Sequence, residues 1–280
     1  MLGDHKFVKM SDGVELHSFI REIGAPKWLI VTHGIGENLE RHKYIIDILG
    51  RDFNLCIYDL RGHGRSLGEP AYVDQFKTFL SDLDSLITFL IKKYRVSKYS
   101  LLGHSMGGLI TLGFVQKYKD LEILPSSVMV NAPALGFGGV GGILSDLLSF
   151  DFNKKLANID FSVQLGGLVD LKNLSHNPMV KEKYLNDTLN AKKLHSRLLL
   201  QMSLFSKEVL SRPINVNYPL FCTVGSSDKI VNLKAITNYF TEVEKKAQFE
   251  IIEGAFHEIH NEVDRYRAKY FELMKKFFLK

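Results

Sequence analysis

Residues 99–118 form the segment that most constrains how this chain can fold. An apolar run at 99–102 leads into Gly103-His104-Ser105-Met106-Gly107, and the residues from 107 to 118 have the pattern of a helix. A serine on a sharp turn between a buried strand and a helix has a strained backbone, so its close neighbours must be small. The helix N-terminus adds free N–H groups and positive potential beside that serine. The segment therefore predicts a strand–turn–helix unit with Ser105 as a candidate nucleophile.

Short apolar runs alternate with helical patterns along most of the chain. Runs typical of buried strands lie at 28–32, 54–58, 99–102, 128–131, 220–224 and 249–252, and a hairpin is predicted at 7–20. Apolar residues at helical spacing predict helices at 73–94, 233–245 and 263–278. This alternation favours βαβ units, whose parallel strands end along one edge of a sheet. We predict one α/β domain with a mostly parallel central sheet and helices on both faces.

Residues 135–213 interrupt this alternation. The segment begins with a glycine-rich apolar run at 136–144 and continues with helix-like pieces and no convincing strand. We interpret it as a helical cap inserted into a core made of residues 1–134 and 214–280. Leu144, Leu147, Leu148 and Phe150 could form an apolar stripe on a helix. Two interpretations of that stripe stay open, a buried core face and a mobile lid that docks on lipid.

The charge distribution restricts the partners. The chain of 280 residues has 36 Lys and Arg against 31 Asp and Glu, a net charge of +5, and its basic residues are dispersed. Nucleic-acid binding proteins usually carry a clustered basic patch, so nucleic acid is not expected as a partner. The run 275–280 could attract anionic lipid weakly. The sequence indicates nothing about oligomeric state.

The cysteines and the N-terminus bear on the compartment. Cys56 and Cys222 each lie in an apolar strand-like run, so we expect buried reduced thiols. The first residues have no signal-peptide apolar region, and no apolar stretch reaches the roughly 18 residues that span a bilayer. We therefore expect a cytoplasmic protein, with peripheral attachment to a membrane through the cap left open.

Two loops downstream supply candidate partners for Ser105. Asp228 lies in the loop after the strand at 220–224, and His257 lies in the loop after the strand at 249–252. Both loops are expected at the same sheet edge as the serine. A serine nucleophile needs a base to accept its proton and a carboxylate to orient that base. The chain order serine, acid, histidine matches one known arrangement of such a triad.

Other residues near these loops are rival candidates. His260, three residues after His257, is the alternative base, and Asp59 follows an earlier strand but precedes the serine. Asp59 is better explained as part of a structural loop. A metal site in the region 257–260 is disfavoured because zinc helices use the spacing H-E-x-x-H, which is absent. We expect neither a metal ion nor a cofactor.

An oxyanion formed on a substrate needs two N–H donors. Met106, the residue after the nucleophile, is expected to supply one, and Ile35 in the glycine-rich loop 33–37 the other. A simple turn at 33–37 is the alternative. The set Ser105, Asp228, His257, Ile35 and Met106 predicts acyl transfer through an acyl-enzyme intermediate.

These motifs resemble those of the α/β hydrolases of the monoacylglycerol lipase and lysophospholipase group. The resemblance covers most of the chain and rests on segments 33–37 with the later Arg41 and Tyr44, 59–66, 103–108, 131–135, 175–178, 187–189, 225–228 and 253–257. Departures fall mostly in the cap, where Asn177 replaces an aspartate and Thr188 a proline, and just before it Asn131 replaces a usual serine. The core motifs are therefore more specific than those of the cap.

The resemblance implies an α/β-hydrolase fold with an inserted cap. It also implies a serine hydrolase that cleaves the carboxylic ester of a monoacylglycerol or a lysophospholipid. A carboxylesterase of small esters, a serine peptidase and an acyltransferase remain alternatives, because the same fold and triad serve all of them. A binding protein without catalysis is a third class, disfavoured because all three triad residues are present.

Overall fold

The computed structural model describes residues 3–136, 162–164 and 170–280. In chain order the strands are β1 Asp4–Lys9, β2 Glu15–Arg21, β3 Trp28–Thr32, β4 Asn54–Tyr58, β5 Tyr99–His104, β6 Ser127–Asn131, β7 Ser162–Gln164, β8 Lys193–His195, β9 Leu220–Gly225 and β10 Gln248–Ile252. The α-helices are α1 Tyr44–Leu49, α2 Lys77–Tyr94, α3 Met106–Lys117, α4 Pro178–Asn186, α5 Ser196–Leu210, α6 Leu233–Asn238 and α7 Asp264–Phe278.

Eight strands form one twisted sheet in the order β1-β2-β4-β3-β5-β6-β9-β10. The hairpin strands β1 and β2 pair antiparallel, β2 also runs antiparallel to β4, and every other neighbouring pair is parallel. This strand order, mostly parallel with an antiparallel hairpin at one edge, fits the predicted α/β-hydrolase fold.

The register aligns the carboxyl ends of the central strands. Thr32 pairs with Gly103, and His104 pairs with Asn131. At the far side, Ile252 pairs with Gly225. The loops that follow β3, β5, β9 and β10 therefore leave the sheet at one edge, which is where ligands of parallel sheets usually bind.

Helices cover both faces of the sheet. On one face, α2 and α3 bury Leu83 and Leu109 in one apolar cluster with strand residues such as Ile30. On the other, α1 and α7 bury Leu49 and Tyr270 in a second cluster. Each fully buried side chain of this size stabilises the fold by roughly 1.5–3 kcal/mol relative to an exposed one. The strands between the two layers are buried on both sides, which explains their nearly continuous apolar runs.

One prediction about the inserted segment is wrong. The chain from 135 to 213 does contain strands, because β7 and β8 pair antiparallel as a small second sheet. Each has only three residues, too few for a two-residue alternation to be detected. The glycine-rich run and the proposed lid stripe at 144–150 lie outside the described residues, apart from Gly136. The boundaries 135–213 for the cap stay a prediction.

Candidate active site

Ser105 lies on a strained turn between β5 and α3. Its backbone has φ 53° and ψ −117°, in a region that residues with a side chain rarely adopt. Hydrogen bonds hold this conformation from both sides, since Ser105 N donates to Asn131 O at 3.0 Å and Ala134 N donates to Ser105 O at 3.0 Å. The predicted sharp strand–turn–helix unit is present.

Glycines make this turn sterically feasible. A Cβ atom on Gly103 would lie 2.5 Å from the carbonyl oxygen of Gly107, and one on Gly107 would lie 2.2 Å from that of Thr32. Both contacts are with backbone atoms, which cannot move aside as a side chain can. The first turn of α3 is therefore packed directly against the end of β3.

Gly107→Ala is expected to lower the free energy of unfolding by about 3 kcal/mol or more, because the added methyl group would meet backbone atoms that cannot move aside. Gly108→Ala is the matched control, since its Cβ would come no closer than 3.0 Å to Pro133 and 3.4 Å to Gly103 O. We expect a smaller loss there, of about 1 kcal/mol. Urea denaturation of both variants measures the difference. Equal stability of Gly107→Ala and the unmodified protein would contradict the close packing of α3 on β3.

The structure brings Ser105, His257 and Asp228 into one hydrogen-bonded chain. The Nε2 atom of His257 lies 3.0 Å from Ser105 Oγ, and its Nδ1 atom lies 2.7 Å from Asp228 Oδ2. All three residues are buried, with exposed fractions of 5%, 3% and 8% for the serine, histidine and aspartate. The backbone N–H groups of Ile230 and Val231 donate to Asp228 Oδ1 and fix the carboxylate.

The carboxylate sets the electrostatics of the histidine. Burial works against the imidazolium, but the charge and hydrogen bond of Asp228, together with the charges of Glu258 and Glu37, outweigh burial and raise the pKa of His257 above its ordinary 6.5. His257 is therefore a stronger proton acceptor than a free imidazole. That property suits a group that would take a proton from a serine hydroxyl.

The glycine-rich loop after β3 lies against Ser105. A Cβ atom built on Gly34 would be only 3.1 Å from the Cβ atom of Ser105. Ile35 follows in that loop, and Met106 is the first residue of α3. The assignment of the N–H groups of Ile35 and Met106 as oxyanion donors stays a prediction.

The rival residues occupy other positions. The carboxylate of Asp59 accepts hydrogen bonds from the N–H groups of Leu39 and Arg65 and lies 2.7 Å from the ring of His17. Asp59 thus joins three segments of loop and strand. His260 is buried, and neither of its ring nitrogens has a hydrogen-bond partner among the described residues.

Further features of the described chain bear on metals and membranes. Within residues 3–136, 162–164 and 170–280, no group of three or more His, Cys, Asp and Glu side chains is arranged to hold a metal ion. None of the helices that the structure describes is both long enough and apolar enough to cross a membrane. Cys56 and Cys222 lie buried in β4 and β9.

Sequence reasoning placed Glu37 and Arg41 in a family motif but did not predict the buried contacts that these charged residues make near Ser105. The Oε2 atom of Glu37 lies 2.7 Å from the Nε2 atom of His42 and accepts a hydrogen bond from Gly34 N at 3.4 Å. The carboxylate therefore contacts the backbone of the glycine-rich loop. Arg41 and Glu258 form a buried ion pair. Arg41 and Glu258 each lie near one of the motifs in the sequence. No local pattern, however, links two partners that are more than 200 positions apart.

Comparisons with known proteins agree with this architecture. A family model described as Hydrolase_4, serine aminopeptidase S33, matches residues 24–264. The phospholipase YtpA of Bacillus subtilis is 25% identical over 245 residues, which cover 85% of this chain and 90% of that protein. The human monoglyceride lipase is 28% identical over 250 residues, covering 86% of this chain and 78% of that enzyme.

Solved structures show the same fold at lower identity. The chain is similar to a soluble variant of the monoglyceride lipase of Saccharomyces cerevisiae, with a TM-score of 0.81 at 18% identity, covering 99% of this chain and 94% of that one. The monoacylglycerol lipase of Paleococcus ferrophilus gives a TM-score of 0.75 at 22% identity, covering 99% and 98%. Because the family model matches most of the chain, including the six parallel strands of the central sheet and every loop of the site, the chain belongs to the Hydrolase_4 family of α/β hydrolases, which confirms the resemblance to the monoacylglycerol lipase group.

Proposed function

We propose that this protein is a serine hydrolase that cleaves the carboxylic ester of a single-chain acyl lipid through an acyl-enzyme intermediate. One observation carries the proposal, the two hydrogen bonds that connect Ser105 to His257 and His257 to Asp228. The class, a carboxylic ester hydrolase, has the support of relatives named monoglyceride lipase and phospholipase.

The reaction would begin with proton transfer from Ser105 Oγ to Nε2 of His257 as the oxygen attacks the ester carbonyl carbon. Asp228 stabilises the imidazolium that forms. The N–H groups of Ile35 and Met106 would donate to the oxyanion of the tetrahedral intermediate, where one such donor is typically worth about 10²–10³ in kcat. The alcohol then leaves with the proton from His257.

Hydrolysis of the acyl-enzyme repeats the same steps with water. His257 accepts a proton from the water, and the hydroxide attacks the acyl carbonyl carbon. The tetrahedral intermediate collapses to a carboxylic acid, and the proton returns to Ser105 Oγ. All of these proton transfers use residues of the chain, so the proposed reaction needs neither a metal nor a cofactor.

The substrate is inferred from the relatives and from the cap. A single-chain acylglycerol or lysophospholipid is our first choice because two kinds of lipid hydrolase stand among the relatives. A peptidase is the second candidate, since the description of the family names a serine aminopeptidase. An aminopeptidase needs an acidic cluster to hold the substrate's amino group. The described acids of the cap, Asp170, Glu182, Asp187 and Glu208, are dispersed along the chain.

A substrate panel tests the proposal. We expect the protein to hydrolyse long-chain 4-nitrophenyl esters, a monoacylglycerol or a lysophosphatidylcholine, and Ser105→Ala to lose that activity. An aminoacyl anilide represents the peptidase, and added lipid vesicles test the predicted peripheral association. Turnover limited to short esters or to the anilide would contradict the lipid assignment while leaving the triad intact.

A further inference from the structure

A buried ion pair joins the two loops that approach Ser105 from opposite sides. Arg41 lies in the short 3₁₀ turn Leu39–His42, which follows the glycine-rich loop, and Glu258 is the residue directly after His257. Arg41 Nη2 donates to Glu258 Oε2 at 2.5 Å, and the exposed fractions of the two side chains are 9% and 0%. The pair therefore connects the predicted oxyanion loop with the histidine loop.

The pair is a poor source of stability. Two charges removed from water lose hydration, and their attraction compensates for this only when the remaining polar atoms are also satisfied. Here Arg41 Nε and Glu258 Oε1 have no hydrogen-bond partner within the described part of the chain. Such a pair is better explained by the geometry that it imposes, because a charged partner fixes both position and direction.

Glu258 is held firmly on its own side of the pair. Its backbone N–H donates to Leu174 O at 2.8 Å, and the side-chain amide of Asn261 donates to Glu258 Oε2 at 2.7 Å. The backbone N–H of His257 donates to Asn173 O at 3.4 Å. These hydrogen bonds fix the loop that carries His257 and Glu258, and the position of Glu258 in turn determines where the guanidinium group of Arg41 lies.

Tyr184 of α4 extends this contact to the glycine-rich loop. Its ring lies against the guanidinium group of Arg41, 5.2 Å from ring centre to Cζ, and its hydroxyl donates to Gly36 O at 2.8 Å. Gly36 is the residue after Ile35. A side chain from the inserted segment thus touches both the ion pair and the backbone next to a predicted oxyanion donor.

We propose that Arg41, Glu258 and Tyr184 form a clasp that sets the position of the oxyanion loop relative to His257. The three are positioning residues, because they act through Ile35 and His257 and need not touch the substrate. This inference rests on the proposed function. It also gives the inserted segment a role in catalysis that is separate from substrate selection.

Glu258→Gln tests the clasp, because the variant keeps the shape of the side chain and removes its charge. We expect kcat for a 4-nitrophenyl ester to fall about 10- to 100-fold, since a misplacement near 1 Å can cost about 10²-fold. KM should stay within about twofold of its original value, because the substrate contacts are unchanged. Tyr184→Phe removes only the hydroxyl and should lower kcat by a smaller factor, about three- to tenfold.

Asp82→Asn is the matched control. Asp82 forms a buried ion pair with Arg61 at 2.6 Å, with exposed fractions of 3% and 12%, and it lies on α2 rather than in a loop of the site. We expect this variant to lose thermal stability and to keep kcat within about twofold, at a temperature where every variant is folded by circular dichroism.

The outcomes separate the clasp from the proposed function. If Ser105→Ala retains full turnover, the proposed function fails. If Ser105→Ala is inactive but Glu258→Gln and Tyr184→Phe both keep kcat within twofold, the clasp is overturned and the triad stands. The clasp is also overturned if kcat falls as far in Asp82→Asn as in Glu258→Gln, because general destabilisation would then explain both losses. Should Glu258→Gln not fold, Tyr184→Phe alone decides between these outcomes.

Discussion

Ser105→Ala is expected to lower kcat for a long-chain 4-nitrophenyl ester by about 10⁴- to 10⁶-fold. The substitution removes the only oxygen placed 3.0 Å from His257 Nε2 in the described site, so no acyl-enzyme can form there. The residual rate would come from the oxyanion donors and from substrate binding alone. Steady-state assays measure the change, with an enzyme concentration high enough to detect the residual activity of the variant.

Ser100→Ala is the matched control for this variant. Ser100 is also a buried serine of β5, and its hydroxyl lies 2.9 Å from that of Ser127. We expect it to cost some stability and leave kcat within about twofold. If Ser105→Ala kept more than about a tenth of the original kcat, the nucleophile would have to be another residue.

Asp228→Asn is expected to lower kcat by about 10⁴-fold. An asparagine can keep the hydrogen bonds from the N–H groups of Ile230 and Val231 with its carbonyl oxygen. Its amide would then point an N–H group at His257 Nδ1 in place of a carboxylate. The imidazole would have to accept that bond and carry its proton on Nε2, which is the tautomer that cannot deprotonate Ser105.

The same variant should change the pH profile. In the proposed mechanism His257 is a base in its neutral form, so kcat/KM should fall as the pH falls through its pKa, which Asp228 helps to raise above the ordinary 6.5. Asp228→Asn removes the carboxylate charge that helps to raise the pKa of His257. The midpoint of the pH profile of the residual activity should therefore move to lower pH. Asp120→Asn, at an exposed loop position, serves as the control. An unchanged midpoint in Asp228→Asn would contradict the pairing of Asp228 with His257.

The sheet and the meeting of Ser105, Asp228 and His257 were predictable because their signals are local and their topology is regular. Strands buried on both faces give continuous apolar runs, and the small neighbours of Ser105 identify the turn between strand and helix. Parallel strands that end at one edge bring Asp228 and His257 to Ser105, although 123 and 152 positions separate them from it. The order of these residues in the chain and the geometry of a parallel sheet were therefore sufficient to predict that they meet.

The remaining features depend on tertiary contacts that leave no pattern in the sequence. The strands β7 and β8 have three residues each, and α1 has six, so neither a strand nor a helix period is established. The helix predicted at 233–245 ends earlier as α6 and continues as the π-helical turn Tyr239–Val243. The partners Arg41 and Glu258 meet only because two loops fold together.

The measurement that tests the central claim most directly is the mass of the acylated protein. A long-chain 4-nitrophenyl ester is mixed with the enzyme, the reaction is quenched in acid within milliseconds to seconds, and the intact mass and peptide map are recorded. The proposed mechanism predicts one acyl group per chain, attached to Ser105, and none on the Ser105→Ala variant. Release of product with no acyl group on Ser105, or with the group on another residue, would contradict it.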